Sequence, residues 1–466
     1  MKVVLYNPRA VFHTMPLALV AVGSALDRAR FDVCIVDGRL ERDPVARTIA
    51  ETEDARCLGV SVLTGRPIRD ALAVSRAVRA ARPEVPIIWG GWHPSLFPHE
   101  CLDEPSIDAV VIGQGEETFR EVIARLGWGC DLEGCAGIAY RRGREVVVNP
   151  PRALGDLNTL PTHDYGLIDV ERYFARKGRR QLDYVSSQGC RFRCSFCADP
   201  TVYGRGWVGL APSRVAREIQ ALDRRHRIEE VAFQDETFFT SPRRVEELCD
   251  EFIERGLRIS WTATMRADQA CRLSEAVVEK AVRSGLRRVM IGVESGSQRM
   301  LDWMQKDMTI GQVVAAAERC ARHDLGAMFN FIVGFPGEPE DCLAETLALI
   351  KRLRAMHPAF ETPVFYYRPY PGSAIAALAQ ARGYEFPRGL EAWADFDYVG
   401  GRSPWLSDVE WRRIERFKFY VRQAWTPGRW RWPLRAVSRW RCTRDFYAWP
   451  LEKQLVELVR PPQAVS

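Results

Sequence analysis

Cys190, Cys194 and Cys197 fall within the single segment Gly189-Cys190-Arg191-Phe192-Arg193-Cys194-Ser195-Phe196-Cys197, with three and then two residues between them. Three thiolates on one loop can hold three irons of a 4Fe-4S cube. The fourth iron then keeps a position open for a non-protein ligand, the property that separates a catalytic metal site from a closed structural one. The competing assignment is structural zinc, which needs a fourth protein ligand, Asp199 or a distant His, and usually comes as paired CxxC elements. The other ten of the 13 cysteines are scattered through helix-like or strand-like segments and read as small buried hydrophobes.

Further groups with chemical potential stand where short apolar runs end. Phe233-Gln234-Asp235-Glu236-Thr237-Phe238 places two adjacent carboxylates, which suit a cationic partner or, taken singly, the cap of a following helix. Arg266 follows the run RISWTAT and on its own reads equally as a solvated surface charge. Glu294 lies in Ile291-Gly292-Val293-Glu294-Ser295-Gly296-Ser297, and Gly334 in Phe331-Ile332-Val333-Gly334-Phe335-Pro336-Gly337-Glu338. Tyr370-Pro371-Gly372 by itself is a turn.

The elements that must position these groups are strands alternating with helices. From residue 181 the runs DYVSSQ, EEVAFQD, RISWTAT, RRVMIGV, AMFNFIVG and TPVFYYR alternate with helices predicted at 212–225, 241–255, 274–284, 310–324 and 340–356. Six β/α units without a closing seventh and eighth predict an open, partial TIM-type (β/α)6 barrel over 181–375, with its site at the strand carboxyl ends. Upstream, over 1–127, the runs VVLYNP, DVCIVD, CLGVSV, VPIIWGG and DAVVIGQGE are separated by helix-length amphipathic stretches, which predicts a doubly wound, flavodoxin-like α/β sheet. Ligands of such sheets sit over the strand carboxyl ends, here residues 7–15, 37–39, 61–66, 90–94 and 113–117. GGWHP and GQGEE are denser in chemistry than turns require, which favours a binding rim. Residues 128–180, with a hairpin at GIAYRRGREVVVNP, read as a connector, and 376–466 as a mostly helical cap.

Composition bounds these readings. A chain of 466 residues, 47% hydrophobic and 27% charged, has room for two or three domains with their own cores and is not compositionally disordered. No apolar run nears the roughly 20 residues of a membrane span and the amino terminus lacks a secretory pattern, so a cytoplasmic location is expected. A net charge of +6 makes no case for nucleic acid.

With Phe196 before its last cysteine and a barrel strand ahead of it, the CxxxCxxC loop resembles that of the radical S-adenosylmethionine (SAM) enzymes, over about residues 181–375. The resemblance implies a 4Fe-4S cluster on Cys190, Cys194 and Cys197, whose open iron binds the amino and carboxylate groups of SAM. It also implies reductive cleavage of SAM to a 5'-deoxyadenosyl radical that abstracts hydrogen from substrate. The SAM contacts it implies are Phe196, Asp235, Glu236, Arg266, Glu294, Ser295, Ile332 and Gly334. In that assignment the acidic pair lies near the ammonium, Arg266 at the carboxylate or ribose, Glu294 at the ribose hydroxyls, and the Ile332–Gly334 segment behind the adenine.

The flavodoxin-like domain ahead of the barrel resembles the cobalamin-binding domain of one branch of that family, which includes carbon methyltransferases and the anaerobic ring-forming cyclase of chlorophyll synthesis. The cobalamin contacts this implies are Pro8, Met15, Asp37, Ser61, Thr64, Gly90, Gly91, His93, Gly113 and Glu116. The Asp-x-His-x-x-Gly loop that ligates cobalt in cobalamin mutases is replaced by Asp37-Gly38-Arg39-Leu40-Glu41-Arg42, so cobalamin is expected without a His axial ligand. His93 and His99, in a Pro-flanked loop, read as ordinary loop residues.

The resemblance therefore implies a cobalamin-dependent radical SAM C-methyltransferase acting on an unactivated carbon of a small, hydrophobic substrate, with flavodoxin or ferredoxin as electron donor. One alternative is oxidative cyclisation or rearrangement of a tetrapyrrole-type or isoprenoid-type metabolite, and another is a non-catalytic sensor. In the tail, Trp405, Trp411, Trp425, Trp430, Trp432, Trp440 and Trp449 are interleaved with Arg. That mixture reads as a core-covering cap, a lid over an apolar substrate, or a peripheral membrane contact. Nucleic acid is not expected, since neither an extra three-Cys domain nor an RNA-binding module is visible.

Overall fold

Each of the apolar runs picked out above contains a strand; VVLYNP, CLGVSV and VPIIWGG are near-continuously apolar, as strands covered on both faces need to be, whereas the strands within RISWTAT and AMFNFIVG alternate buried with half-buried positions. The computed structural model describes residues 1–10, 14–127, 131–396, 401–426 and 432–459. The chain condenses into two compact units: Met1–Phe192 with Cys197–Glu236 and Pro371–Asp397, and Arg193–Phe196 with Thr237–Tyr370 and Tyr398–Ser466. Cys190 and Cys197 thus belong to the first and Cys194 to the second.

In the first unit β1 (Lys2–Asn7), β2 (Asp32–Asp37), β3 (Ala55–Ser61), β4 (Ile87–Gly90) and β5 (Ala109–Val111) run parallel in the order β2-β1-β3-β4-β5. This is the flavodoxin-like order, which reverses direction between β1 and β3 and opens a crevice at their carboxyl ends. Val3, Leu5, Val33, Ile88 and Val111 pack with Leu19, Leu26, Phe119, Val122 and Ile123 of the helical layer. Burial of each such side chain is worth about 2 kcal/mol. The expected hairpin forms as β6 (Ile138–Arg142) and β7 (Glu145–Val148), but it is more than a connector. β6 pairs antiparallel with β5, covering an edge whose backbone groups would otherwise lack partners.

The first unit continues through the helix Val170–Lys177 to β8 (Gln181–Tyr184), β9 (Ser187–Gly189), β10 (Trp207–Gly209) and β11 (Glu230–Phe233). β8 and β11 are parallel, β9 and β10 antiparallel. In the second unit β12 (Ser260–Met265), β13 (Leu286–Glu294) and β14 (Gly326–Val333) are parallel neighbours, and β15 (Phe360–Glu361) and β16 (Val364–Tyr366) both pair with β14. The intervening helices start where hydroxyl caps stand: Ser241 accepts from Arg244 N, Ser274 from Val277 N, and Thr309 forms a capping box with Gln312. The tail is helical at Asp408–Ala424, Trp432–Arg444 and Leu451–Val459. Of the ten dispersed cysteines, Cys57, Cys101, Cys135, Cys249, Cys320, Cys342 and Cys442 are buried as expected, Cys34 is half-buried, Cys271 is exposed, and Cys130 lies outside the described residues.

Asp37, at the end of β2, is closed off rather than presented. Its carboxylate accepts from Arg39 N, Nε and Nη2 at 2.9, 3.0 and 2.6 Å and from the Tyr173 hydroxyl, and side-chain exposure is only 4% for Asp37 and 7% for Arg39. Burial alone would raise this carboxyl, but the hydrogen bonds and charge of Arg39 outweigh it and hold the pKa low. Removing one partner leaves a buried charge uncompensated. Asp37→Ala is therefore expected to cost about 3 kcal/mol in urea unfolding, and a loss below about 1 kcal/mol would show that the pair is not structural.

Candidate active site

A tight turn after β13 holds the middle of the thiolate loop. Ser195 N donates to Met304 O at 2.8 Å, and Arg193 grips Asp307 with Nε and Nη2, each at 2.8 Å. Gln305 and Asp307 in this turn adopt left-handed conformations (φ 52° and 50°), unusual for residues with a Cβ. Arg266, just past β12, is buried against the loop. Nη1 donates to Cys194 Sγ at 3.5 Å, Nε to Asp268 at 2.8 Å, and Nη2 to the carbonyls of Lys306 and Asp307.

Glu294 ends β13 at a register shift against β14 and has φ 68°. A bulge of this kind re-aims a side chain. Its carboxylate accepts from Lys306 Nζ at 2.6 Å, and both groups are buried. The same ammonium lies 5.4 Å from the Phe196 ring centroid. Gly292 leaves room for this pair: a Cβ would come within 2.4 Å of Glu294 Oε1 and 3.1 Å of Lys306 Nζ, and the two side-chain ends would have to shift. Ser295 is engaged internally, its hydroxyl 3.1 Å from Thr346 Oγ1 and accepting from Ser297 N. Ile332 is half-buried near the end of β14. At Gly334 (φ 81°) a Cβ would lie 2.8 Å from Ser403 and Leu406, and Ser403 Oγ donates to the Gly334 carbonyl at 2.5 Å.

In the first unit Asp235 does not cap a helix. It accepts from Ser186 N and Oγ at 2.7 Å each and from Ser187 Oγ at 2.5 Å, fixing the backbone that leads into Cys190. Glu236 accepts from Gly189 N at 3.2 Å and the Tyr203 hydroxyl at 3.3 Å. Burial, then the nearby Asp199 and Asp235 carboxylates, push its pKa up to about 7.

At the carboxyl ends of β3, β4 and β5 the first unit contains a cavity of about 330 Å³. Ser61, Gly90, Gly91, Gly113, Gln114 and Glu116 line it, facing apolar Leu17, Val22 and Phe119. A Cβ would have ordinary room at Gly90 (nearest atom 3.5 Å), so bare backbone there is not a demand of packing, whereas Gly113 is held to glycine by its backbone (φ 74°). At Gly91 (φ 95°) a Cβ would meet Val62 N and O at 3.0 Å. Glu116 is tied to Gln188 Nε2 at 2.8 Å, and burial raises its pKa.

Five residues expected at this rim stand back from it. Pro8 is buried and Asp37 closes on Arg39. Met15 N donates to Asp183 Oδ2 at 2.8 Å, and Thr64 Oγ1 lies 3.3 Å from His93 Nδ1. His93 itself is fully buried against Phe97 and Trp393, and burial lowers its pKa to about 3. His163 and Lys306 escaped sequence reasoning. His163, in the stretch read as connector, lines the cavity; Lys306 sits twelve residues past the motif whose glutamate it pairs with.

The donor sets fit the expected groups. None of the three loop cysteines is in a disulfide, and thiolates are the ligands a 4Fe-4S cluster takes. Among the described residues no three His, Cys, Asp or Glu side chains gather as a single-ion site. The glycine-lined cavity, with amides from Gln114 and Gln188 and an apolar wall, suits a flat macrocycle bearing peripheral amides.

Residues 1–123 match the family described as B12 binding domain, and residues 184–350 the Radical SAM superfamily. An uncharacterized methyltransferase of Pyrococcus horikoshii is 30% identical over 393 residues, covering 82% of this chain and 83% of its own. The anaerobic magnesium-protoporphyrin IX monomethyl ester cyclase of Synechocystis is 26% identical over 328 residues, 69% of this chain and 64% of that protein. A solved structure of the radical SAM methyltransferase TsrM from Kitasatospora setae, with tryptophan substrate and a SAM analogue bound, shares the fold at a TM-score of 0.73 and 18% identity, covering 92% of this chain and 91% of that one. The chain belongs to the radical SAM superfamily of enzymes and carries its B12-binding domain.

The raised Glu236 carboxyl makes ligand-free stability depend on pH. The folded state holds a proton that the unfolded chain releases near pH 4.5, so stability falls as pH rises from there to about 7 and then levels. Glu236→Gln is expected to remove up to about 3 kcal/mol of that decline, read as a flatter melting temperature between pH 5 and 8. An unchanged slope would place the titrating group elsewhere.

Proposed function

We propose that this chain is a cobalamin-dependent radical SAM methyltransferase that transfers a methyl group to an unactivated carbon of a small, apolar substrate. The observation that carries the reading is a three-thiolate loop in the same chain as a glycine-lined cavity at the edge of a flavodoxin-order sheet. When bound, the cluster and SAM supply a carbon-centred radical and cobalamin supplies the methyl group.

The protein's part is placement and shielding. Cys190, Cys194 and Cys197 hold three irons and leave the fourth open. Glu236 offers its carboxylate to the ammonium of SAM, and Glu294 offers its own to the ribose hydroxyls. Phe196 and the Ile332–Gly334 segment flank the nucleoside. Ser61, Gly90, Gly91, Gly113 and Glu116 bring backbone and polar atoms to the corrin edge, while Leu17, Val22 and Phe119 exclude water. A flavodoxin or ferredoxin would supply the electron. The likeness to the cyclase favours one second reading, oxidative ring closure on a tetrapyrrole-type substrate without methyl transfer.

Anaerobic reconstitution with iron, sulfide and hydroxocobalamin is expected to give about four irons and one cobalt per chain. Methylated product should then appear with two SAM consumed per turnover. Iron without cobalt would overturn methyl transfer and leave the cyclisation reading.

A surface bears on where the enzyme works. Trp432, Trp440, Trp449, Leu451, Leu455 and Leu458 are 52% to 80% exposed, and the exposed Arg439 and Arg444 stand among them. Trp405, Trp411 and Trp425 are half-buried, and Trp430 lies outside the described residues. Among the described residues no helix is long and apolar enough to cross a membrane. We propose that this face rests on an anionic bilayer, with indole rings at the headgroups and guanidinium groups on the phosphates. The protein should co-sediment with phosphatidylglycerol vesicles, be released by high salt, and lose binding in Trp440→Glu/Leu455→Glu. Equal behaviour with phosphatidylcholine vesicles would overturn the proposal.

A further inference from the structure

Arg266 has a role the resemblance does not supply, and the inference rests on the assignment of the Cys190–Cys197 loop to a 4Fe-4S cluster. The residue is 5% exposed, and all its arms are occupied. Nε donates to Asp268 Oδ1 at 2.8 Å, Nη2 to the carbonyl of Lys306 and, at 3.4 Å, to that of Asp307, and Nη1 to Cys194 Sγ at 3.5 Å. Its backbone N–H is held by Gln269 Oε1 at 3.0 Å. Swinging out to a SAM carboxylate would break these bonds and leave Asp268, which is only 2% exposed, with Arg272 as its one remaining charged partner. The arrangement aims the guanidinium at a thiolate sulfur, not at open space.

We propose that Arg266 is a positioning residue for the cluster, whose N–H···S bond and positive charge at Cys194 favour the one-electron-reduced form. When the oxidised cluster accepts one electron, negative charge spreads onto its sulfur ligands. A donor already pointed at one of them is then a better partner, and hydrogen bonds to the sulfurs together with net charge are levers that set such potentials. The fork geometry matters as much as the charge, because Asp268 and the Lys306 carbonyl fix the plane from which Nη1 reaches sulfur. Lys306 also binds Glu294 at 2.6 Å through Nζ, so one residue braces both the cluster ligand's partner and the carboxylate offered to the nucleoside.

The test uses the full-length protein, reconstituted anaerobically with iron and sulfide and titrated with dithionite, the electron source, while EPR follows the reduced cluster. At the poise that half-reduces the wild type, Arg266→Gln should show a tenfold lower ratio of reduced to oxidised cluster, about 59 mV for a one-electron couple, at wild-type iron content. Arg266→Lys, which keeps the charge and loses the fork, should fall between. Equal ratios at equal iron overturn the proposal and leave the cluster assignment standing, whereas a wild type that takes up no iron overturns both. If neither variant holds iron, pulsed EPR of the reduced wild-type cluster in protein labelled with 15N-arginine decides: a guanidinium nitrogen coupling supports the proposal and its absence overturns it.

Discussion

The hold of the Met304–Asp307 turn on residues 193–196 is the constraint on which the chemistry of this chain depends. A loop carrying thiolates has no regular hydrogen-bond ladder of its own, so its backbone must be fixed from outside. Here a main-chain bond to Ser195, a bidentate grip on Arg193 and two carbonyls that orient Arg266 all issue from four residues. Two of those four adopt left-handed backbone conformations at non-glycine positions, a cost of order 1–3 kcal/mol each that persists only where the surroundings over-determine it. On the upstream side Asp235 performs the equivalent task with Ser186 and Ser187. The loop's precision is thus borrowed largely from groups outside it, the buried Asp235 and Arg266 among them.

The same division between support and presentation runs through the amino-terminal sheet. Asp37, His93, Thr64 and Met15 are committed to internal partners, and at the strand ends the cavity is bounded by Ser61, Gly90, Gly91 and Gly113, opposite an apolar wall. A broad planar ligand requires such a surface, because each Cβ would hold it away from the backbone dipoles. Selectivity then falls to the few groups that project, Gln114, Glu116 and Gln188, which are already bonded to one another in a chain.

Much of this was legible beforehand, for physical reasons. The strands could be read because short apolar-rich runs recur between helix-length stretches, and the helix starts because Ser241, Ser274 and Thr309 bond to backbone only a few residues away. The thiolate loop could be read because its three cysteines lie within eight residues. What could not be read depends on distant partners. Nothing local tells Asp37 that Tyr173 will close over it, or Arg266 that Cys194 lies opposite. Lys306 belongs to a turn with no motif of its own, and His163 to a stretch without periodicity. The hairpin at 138–148 was visible, but that it would complete a sheet was not, because edge pairing follows from what β5 leaves unsatisfied.

With Glu236 facing the ammonium of SAM as proposed, ligand binding would be tied to proton traffic. A carboxyl that holds its proton up to about pH 7 is a weak partner for a cation until that proton leaves. A sulfonium amino acid settling beside it would then release about half a proton per chain to solvent at pH 7, and its affinity would rise with pH through the range in which Glu236 ionises. Acidification would then loosen the ligand by protonating that one carboxylate, leaving the three thiolates as they are.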